Sequence, residues 1–201
     1  MITIVWDIDD VLNDLMRIWF ETWWLPTHHD CKLTYQNIRE NPPHRLLSSS
    51  IKKYLDSLDD FRRSKNYEEM QPNPAIIGWF HRYGHLCHHI ALTSVPRKAA
   101  HISASWVLRH FGDWIRTFHF VPSSRAGEYL PCYETEKSEY IQKLKQADVF
   151  IDDNPANIRS TIPMGIKCFM VSRPWNHGGT PLYKILDHLR NMALKNENKT
   201  E

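Results

Sequence analysis

Ile2-Thr3-Ile4-Val5-Trp6 leads directly into Asp7-Ile8-Asp9-Asp10-Val11-Leu12-Asn13. A short apolar run that ends abruptly in acids predicts a buried strand that delivers several carboxylates to one edge of a sheet. Neighbouring carboxylates are costly to bury unless a cation neutralises them, and hard oxygen ligands of this kind suit Mg²⁺ rather than Zn²⁺. The stretch therefore predicts a metal site at a strand end.

A second acidic strand end lies far downstream, where Ala147-Asp148-Val149-Phe150-Ile151 runs into Asp152-Asp153-Asn154-Pro155. Two such ends can share a metal only if their strands are neighbours in a parallel sheet, whose carboxyl-end crevice is the usual ligand site. The alternative is that these aspartates cap helices, since Asp is favoured at helix N-termini. The acids at both strand ends favour the metal site and a metal-dependent enzyme.

Strand-type and helical patterns alternate along most of the chain. The strand-type runs cover 2–7, 86–93, 117–121, 147–151 and 166–171. The helical patterns cover 96–111, 137–146, 155–163 and about 181–194, and residues 195–201 are predicted to be frayed. Such alternation predicts right-handed βαβ units and an α/β fold with a mostly parallel sheet covered by helices on both faces.

Residues 15–71 depart from this alternation. A helical pattern from Leu15 to Leu25 is followed by the break Asn41-Pro42-Pro43 and by a second helical pattern over about 44–60. No strand is predicted in this insertion.

Four segments resemble, in order and spacing, the motifs of the haloacid dehalogenase (HAD) superfamily of phosphatases. They are Asp7-Ile8-Asp9 with Val11, Leu92-Thr93-Ser94, Lys137 ahead of a helix, and Ile151-Asp152-Asp153. Three longer segments are most similar to the 5'(3')-deoxyribonucleotidase branch and its bacterial relatives: Thr93-Ser94-Val95-Pro96, Ile151 to Pro155, and Arg173-Pro174-Trp175-Asn176. The resemblance covers roughly residues 1–14 and 72–176.

The resemblance implies a three-layer Rossmann-like core formed by 1–14 and 72–201, with 15–71 as a small helical cap inserted after the first strand. A cap suits phosphoryl transfer from an enzyme carboxylate because water must be excluded in one step and admitted in the next.

The resemblance also implies roles for the acids. Asp7 would be the nucleophile that forms an aspartyl-phosphate. Asp9 would protonate the leaving oxygen and then activate water. Mg²⁺ would be held by the Asp7 carboxylate, the backbone carbonyl of Asp9 and Asp152, while Asp153 would bind a metal-coordinated water.

Two further residues match catalytic positions of the family. Thr93 matches the hydroxyl that donates to a phosphate oxygen, and Lys137 matches the cation that pairs with nucleophile and phosphate. Lys143 and Lys145 lie on the same predicted helix, but only Lys137 lies near its start. Asp10 occupies a position that is often Gly in the family, which raises a question about the local turn.

Four residues are candidates for substrate contacts: Ser94, Arg125, Trp175 and Asn176. Trp175 and Asn176 follow the predicted strand 166–171 and should lie at the same sheet edge as the acids. The alternative is that Pro174 shapes a turn and Trp175 covers the core.

Two clusters have structural alternatives to a functional role. Four histidines suggest zinc, but a strand beginning near His85 would point His88 and His89 to opposite faces, which makes a zinc site unfavoured. The aromatic side chains after the first motif are expected mainly to pack, with stacking on a nucleobase as the alternative. The histidine cluster consists of His81, His85, His88 and His89. The aromatic cluster consists of Trp19, Phe20, Trp23 and Trp24.

Composition limits the class of protein. The 201 residues have 42% hydrophobic and 24% charged content and a formal charge of +2, too small to indicate a nucleic-acid surface. Cys31, Cys87, Cys132 and Cys168 are widely spaced, and Cys87 and Cys168 are expected to be buried apolar residues. No apolar run approaches ~18 residues and no signal peptide is evident, so a cytoplasmic protein without membrane contact is expected.

Together these observations predict a Mg²⁺-dependent phosphomonoesterase that acts on a small metabolite such as a nucleoside monophosphate. A sugar phosphate or other small ester is the alternative substrate. A non-catalytic phosphate-binding protein with the same fold is the alternative outside enzymology, although the sequence shows no lost site residue.

Overall fold

Five parallel strands form one sheet in the order β3-β2-β1-β4-β5. The computed structural model describes residues 1–123, 125–126, 128–131 and 133–197. The strands are β1 (Ile2–Trp6), β2 (Cys87–Val95), β3 (Ile115–Pro122), β4 (Val149–Asp152) and β5 (Lys167–Met170). The acid-bearing strands β1 and β4 are direct neighbours in the sheet, as a shared metal site requires.

Helices connect the strands and form the insertion. They are α1 (Leu15–Trp19), α2 (Ile51–Arg62), α3 (Lys65–Glu68), α4 (Pro74–Tyr83), α5 (Arg97–Phe111), α6 (Lys137–Leu144), α7 (Pro155–Thr161) and α8 (Leu182–Glu197). Helix α1 continues as wider and then tighter turns through Thr27. Residues 15–71, all of them described, contain helices and turns and no strand.

Three helix predictions were wrong in detail. Helix α4 was not predicted, although Pro74 at its first position and an Asn73 side chain that accepts from the Ala75 amide (3.1 Å) are ordinary start signals. Helix α2 begins at Ile51 rather than near 44, because Ser50 caps it. Helix α8 continues to Glu197, so 195–197 are not frayed, and 198–201 lie outside the described residues.

The sheet is buried on both faces, as expected for a parallel sheet. Ile4 and Trp6 pack into a large cluster with side chains of α4, α5 and α8. Val5, which points the other way, packs with Ile141 of α6 and Ile158 of α7. The large cluster also contains Trp19, Phe20 and Trp24, so these aromatic side chains pack, as predicted.

His89 is a core histidine and not a zinc ligand. Its Nδ1 accepts from the Trp6 indole (3.1 Å), and its Nε2 lies 2.8 Å from the Gly84 carbonyl oxygen, which fixes a neutral tautomer. His88 is exposed on the opposite face of β2. Within the described residues, the one group of side chains close enough to hold a metal consists of aspartates.

We expect His89 to make folding acid-sensitive. Burial lowers the pKa of His89 from 6.5 to about 4. Below pH 6.5 the unfolded chain therefore binds a proton that the folded chain does not, and stability is lost as the pH falls toward 4, by about 3 kcal/mol in total.

Denaturant unfolding of wild type, His89→Gln and His88→Gln at pH 7.5 and pH 4.5 measures this effect. Because buried carboxylates titrate in the same interval, the result is the difference between variants. His89→Gln should lose less stability on acidification than the other two proteins. Equal losses in all three would contradict the assignment.

The cysteines agree only partly with expectation. Cys87 is buried, whereas Cys31 and Cys168 are half-buried, and these three thiols are free. Cys132 lies outside the described residues. Across the part of the chain that the structure describes, the helices are too short or too polar to cross a bilayer.

Candidate active site

Three aspartates meet at the carboxyl ends of β1 and β4. The pairing with β4 continues one residue past the end of β1, where the Asp7 amide donates to the Ile151 carbonyl (2.9 Å). Carboxylate oxygens of Asp7, Asp152 and Asp153 lie within 4.8 Å of one another, and all three residues are buried. We call these three residues the acidic cluster.

Lys137, the first residue of α6, lies between two members of the acidic cluster. Its Nζ is 2.6 Å from Asp7 Oδ1 and 2.8 Å from Asp152 Oδ2, and its side chain is 2% exposed. The Asp152 carboxylate also accepts from the Asn154 amide (2.7 Å) and from Asn157 Nδ2 (3.0 Å). Lys137, rather than Lys143 or Lys145, is thus the cation that the fold delivers to the acids.

The acidic cluster carries more negative charge than Lys137 neutralises. Burial raises the pKa of Asp7 well above its usual value, against the opposing effect of Lys137. Burial and then the neighbouring Asp152 raise the pKa of Asp153 to about 8. Although burial alone would lower the pKa of the Lys137 ammonium, Asp152 and Asp7 raise it. A divalent cation would relieve this imbalance, and the all-oxygen donor set fits Mg²⁺.

The turn after Asp7 explains why Asp10 is unusual at its position. Asp10 has φ 63°, a left-handed conformation that favours Gly and that Asp tolerates better than most residues. Its Oδ1 accepts from the Met16 amide (2.9 Å) at the start of α1. Burial raises the pKa of Asp10 to about 7, opposed mainly by Arg173. The Asp10 side chain thus ties the turn to the beginning of the insertion.

Arg173 holds the same turn from the far end of the chain. It donates to the backbone carbonyl of Asp10 (Nε, 2.7 Å) and pairs with Asp14 (2.8 Å). The sequence placed Arg173 in a family-like motif but gave it no role.

Thr93 and Ser94 approach from the end of β2, next to β1. Thr93 is buried and Ser94 is exposed, and both contribute to a small cavity beside the acidic cluster. The cavity has a volume of about 140 Å³, well below the ~300 Å³ or more of common small-molecule pockets. Residues of the insertion complete its wall: Leu15, Met16, Asn41, Tyr54, Leu58 and Arg62.

Asp9 also lines the small cavity, and its carboxylate bonds side chains of the insertion. Its Oδ2 accepts from Arg62 Nε (3.2 Å) and from a terminal Arg62 nitrogen (3.0 Å). Its Oδ1 accepts from the Tyr67 hydroxyl (3.1 Å) and from Asn13 Nδ2 (3.2 Å). Sequence reasoning missed Arg62 and Tyr67, because a single Arg and a single Tyr in a helical insertion carry no recognisable pattern.

Three of the four candidate substrate contacts lie elsewhere. Trp175 Nε1 donates to Asp153 Oδ2 (2.7 Å), and Asn176 Nδ2 donates to the Asp153 backbone carbonyl (2.6 Å). Both residues therefore hold Asp153 in place. Arg125 forms a two-bond ion pair with Asp59 (2.6 and 2.9 Å) beside a separate cleft of about 670 Å³. Of the four, Ser94 is the one that the described residues place on the small cavity.

The fold is similar to that of several solved HAD-like proteins. A haloacid dehalogenase-like family hydrolase from Streptococcus pneumoniae superposes with a TM-score of 0.65 at 12% identity, over 94% of this chain and 98% of that chain. A protein from Clostridium acetobutylicum, described as a predicted phosphatase, gives 0.57 at 14% identity over 94% and 98%. A haloacid dehalogenase-like family hydrolase from Xanthomonas campestris gives 0.56 at 8% identity over 99% and 94%.

No protein-family model matches the chain, and no curated protein matches it by sequence. At these low identities the structural likeness establishes the fold. The predicted fold class, an α/β Rossmann-like core with a parallel sheet, is confirmed, and the fold is HAD-like.

Proposed function

We propose that the protein is a Mg²⁺-dependent phosphomonoester hydrolase with Asp7 as its nucleophile. The observation that carries the proposal is Lys137, whose buried ammonium bridges Asp7 (2.6 Å) and Asp152 (2.8 Å) at the edge of a small cavity. A carboxylate held beside a fixed cation, with neutral donors opposite, suits the transfer of an anionic phosphoryl group.

The hydrogen bonds of Asp7 favour one oxygen as the attacking atom. Oδ1 accepts from the Ile8 amide (2.7 Å) and pairs with Lys137, which leaves Oδ2 for attack. Oδ2 would form a bond to phosphorus as the ester P–O bond breaks, and the leaving oxygen would take a proton from Asp9. Asp9 would then take a proton from water, which attacks phosphorus and releases phosphate and the Asp7 carboxylate.

The remaining residues would bind and orient. Thr93 and Ser94 would donate to phosphoryl oxygens from the end of β2. The Asp7 carboxylate, the Asp9 backbone carbonyl and Asp152 would hold Mg²⁺, with Asp153 on a coordinated water. When bound, Mg²⁺ supplies positive charge that offsets the negative charge of phosphate and of the acidic cluster.

A small phosphorylated metabolite such as a nucleoside monophosphate is the proposed substrate. The motif resemblance to deoxyribonucleotidases supports the nucleotide, and the similarity to the Clostridium protein, a predicted phosphatase, supports the reaction class. The cavity of about 140 Å³ has room for a phosphoryl group and little more, so the rest of the substrate would lie toward the insertion. We propose residues 15–71 as the cap and the cytoplasm as the location.

Metal removal tests the proposal. Phosphate release is measured on nucleoside monophosphates, sugar phosphates and an aryl phosphate, with Mg²⁺ and with chelator. We expect release that chelator abolishes and added Mg²⁺ restores, because the buried acidic cluster repels a phosphate dianion without it.

The substrate profile distinguishes the alternatives. Preference for deoxynucleotides would support the nucleotidase assignment, and preference for sugar phosphates would replace it. If no ester is hydrolysed but inorganic phosphate binds, the protein is a phosphate-binding module. Release that persists in chelator would contradict the metal assignment.

A further inference from the structure

The carboxylate of Asp9 is fully occupied by protein donors. A carboxylate offers about four acceptor positions. Arg62 fills both positions on Oδ2, and Tyr67 and Asn13 fill those on Oδ1. In this arrangement Asp9 has no position left for a leaving oxygen or a water molecule. The proposed acid and base must therefore give up a partner before it can act.

The donors on Oδ1 are anchored in the protein. The Tyr67 hydroxyl is buried and also bonds Ser103 Oγ of α5 (3.0 Å), so it connects Asp9 to a helix beside the sheet. Asn13 belongs to the turn itself, and its Oδ1 accepts from the Asp10 amide (3.1 Å). These contacts fix the orientation of the Asp9 carboxyl group.

The donor on Oδ2 is placed differently. Arg62 lines the small cavity, together with Asp7, Thr93 and Lys137. It has a second carboxylate partner in Asp59 (3.4 Å), which also forms the two-bond ion pair with Arg125 described above. Arg62 can therefore leave Asp9 without becoming an isolated buried charge.

We propose that Arg62 is a positioning residue that exchanges Asp9 for the phosphate group of an entering substrate. A guanidinium presents paired donors that match phosphate oxygens as well as carboxylate oxygens. The exchange frees Oδ2 of Asp9 to take up a proton from solvent and pass it to the leaving oxygen, while Tyr67 and Asn13 keep the carboxyl group oriented. This inference rests on the proposed function and adds a substrate-dependent release of its acid and base.

The exchange predicts a spectroscopic change in the wild-type protein. Arginine Nε–H resonances are recorded by NMR in the presence of Mg²⁺ while inorganic phosphate is added, and phosphate binding is followed separately by ³¹P NMR. The Arg62 resonance is identified by its absence in Arg62→Lys. It should shift along the phosphate binding curve, whereas the resonance of Arg63, the exposed residue directly after α2, should not.

Phosphate affinity provides a second measurement. Arg62→Gln should weaken phosphate binding roughly tenfold to hundredfold, because one charge-assisted contact is lost and Asp9 is left facing the anion. Arg63→Gln is the matched control and should bind phosphate as the wild type does, since Arg63 pairs with exposed Asp60. If Arg62→Gln does not fold, the wild-type titration decides alone.

The outcomes separate this inference from the proposed function. Phosphate that binds without moving the Arg62 resonance would overturn the exchange, while ester hydrolysis measured independently would leave the hydrolase assignment standing. A protein that neither binds phosphate nor hydrolyses any ester would overturn both.

Discussion

Asp7→Asn is expected to reduce phosphate release by at least about a thousandfold at saturating Mg²⁺, a loss of the size seen when a catalytic nucleophile is removed. The amide keeps the shape of the side chain and can still accept from the Ile8 amide, but it cannot form an acyl-phosphate by displacing the leaving group. The measurement is turnover of the best ester from the substrate panel, with the folded state checked by circular dichroism.

The fold should survive this substitution. Burial raises the pKa of Asp7, which means that folding disfavours its ionised form. In chelator, a neutral side chain at this position should therefore not destabilise the fold. Asp113→Asn is the control, because Asp113 is exposed and precedes β3, at the opposite edge of the sheet. Asp113→Asn should retain full turnover. A comparable loss in both variants, or none in Asp7→Asn, would contradict the nucleophile assignment.

The positions of the acids were predictable because they follow directly from strand ends. Apolar runs located β1 and β4, and parallel neighbours bring their carboxyl ends to one edge, so Asp7, Asp152 and Asp153 had to meet once the strands paired. Lys137 was predictable for a related reason, since the first residue of a helix that packs on the sheet lies at that same edge. Local sequence was sufficient for this part of the site.

The partners of Asp9 could not be predicted in the same way. Arg62 and Tyr67 lie 53 and 58 positions after Asp9. They belong to an insertion that contains no strand, and its sequence pattern does not indicate how it packs on the sheet. Their approach depends on how α2 and α3 fold back over the turn, which is decided by tertiary packing of side chains such as Phe61. The part of the candidate site to which we assign substrate entry is therefore the part that sequence patterns describe least.

The hydrogen bonds of Trp175 and Asn176 change the interpretation of these two candidate substrate contacts. Trp175 and Asn176 lie at the expected sheet edge, but their hydrogen bonds run to Asp153 and not toward the cavity. A loop at the carboxyl edge can face either the ligand or the supporting backbone, and the sequence does not distinguish these orientations. We interpret Trp175 as a support that fixes the direction of the Asp153 carboxylate, and Asn176 as a support that holds the Asp153 backbone.

Lys137→Met is expected to cost about 3–5 kcal/mol of folding stability in chelator, the range observed when one partner of a buried ion pair is removed. The substitution leaves Asp7 and Asp152 facing each other without the ammonium that now lies 2.6 and 2.8 Å from them. Denaturant unfolding in chelator and in Mg²⁺ measures the effect. Added Mg²⁺ should recover part of the stability, because it replaces some of the lost positive charge, but turnover should remain low.

Lys143→Met is the matched control for this experiment. Lys143 lies on the same helix, but its side chain is 56% exposed and pairs with Glu134, so its loss should cost less than about 1 kcal/mol. Turnover in Lys143→Met should equal that of the wild type. If Lys143→Met lost turnover and Lys137→Met kept it, the cation at the active site would have been assigned to the wrong residue of α6. If Mg²⁺ stabilised Lys137→Met no more than Lys143→Met, the acidic cluster would not be the metal site, because the variant with the larger uncompensated charge should gain more from the cation.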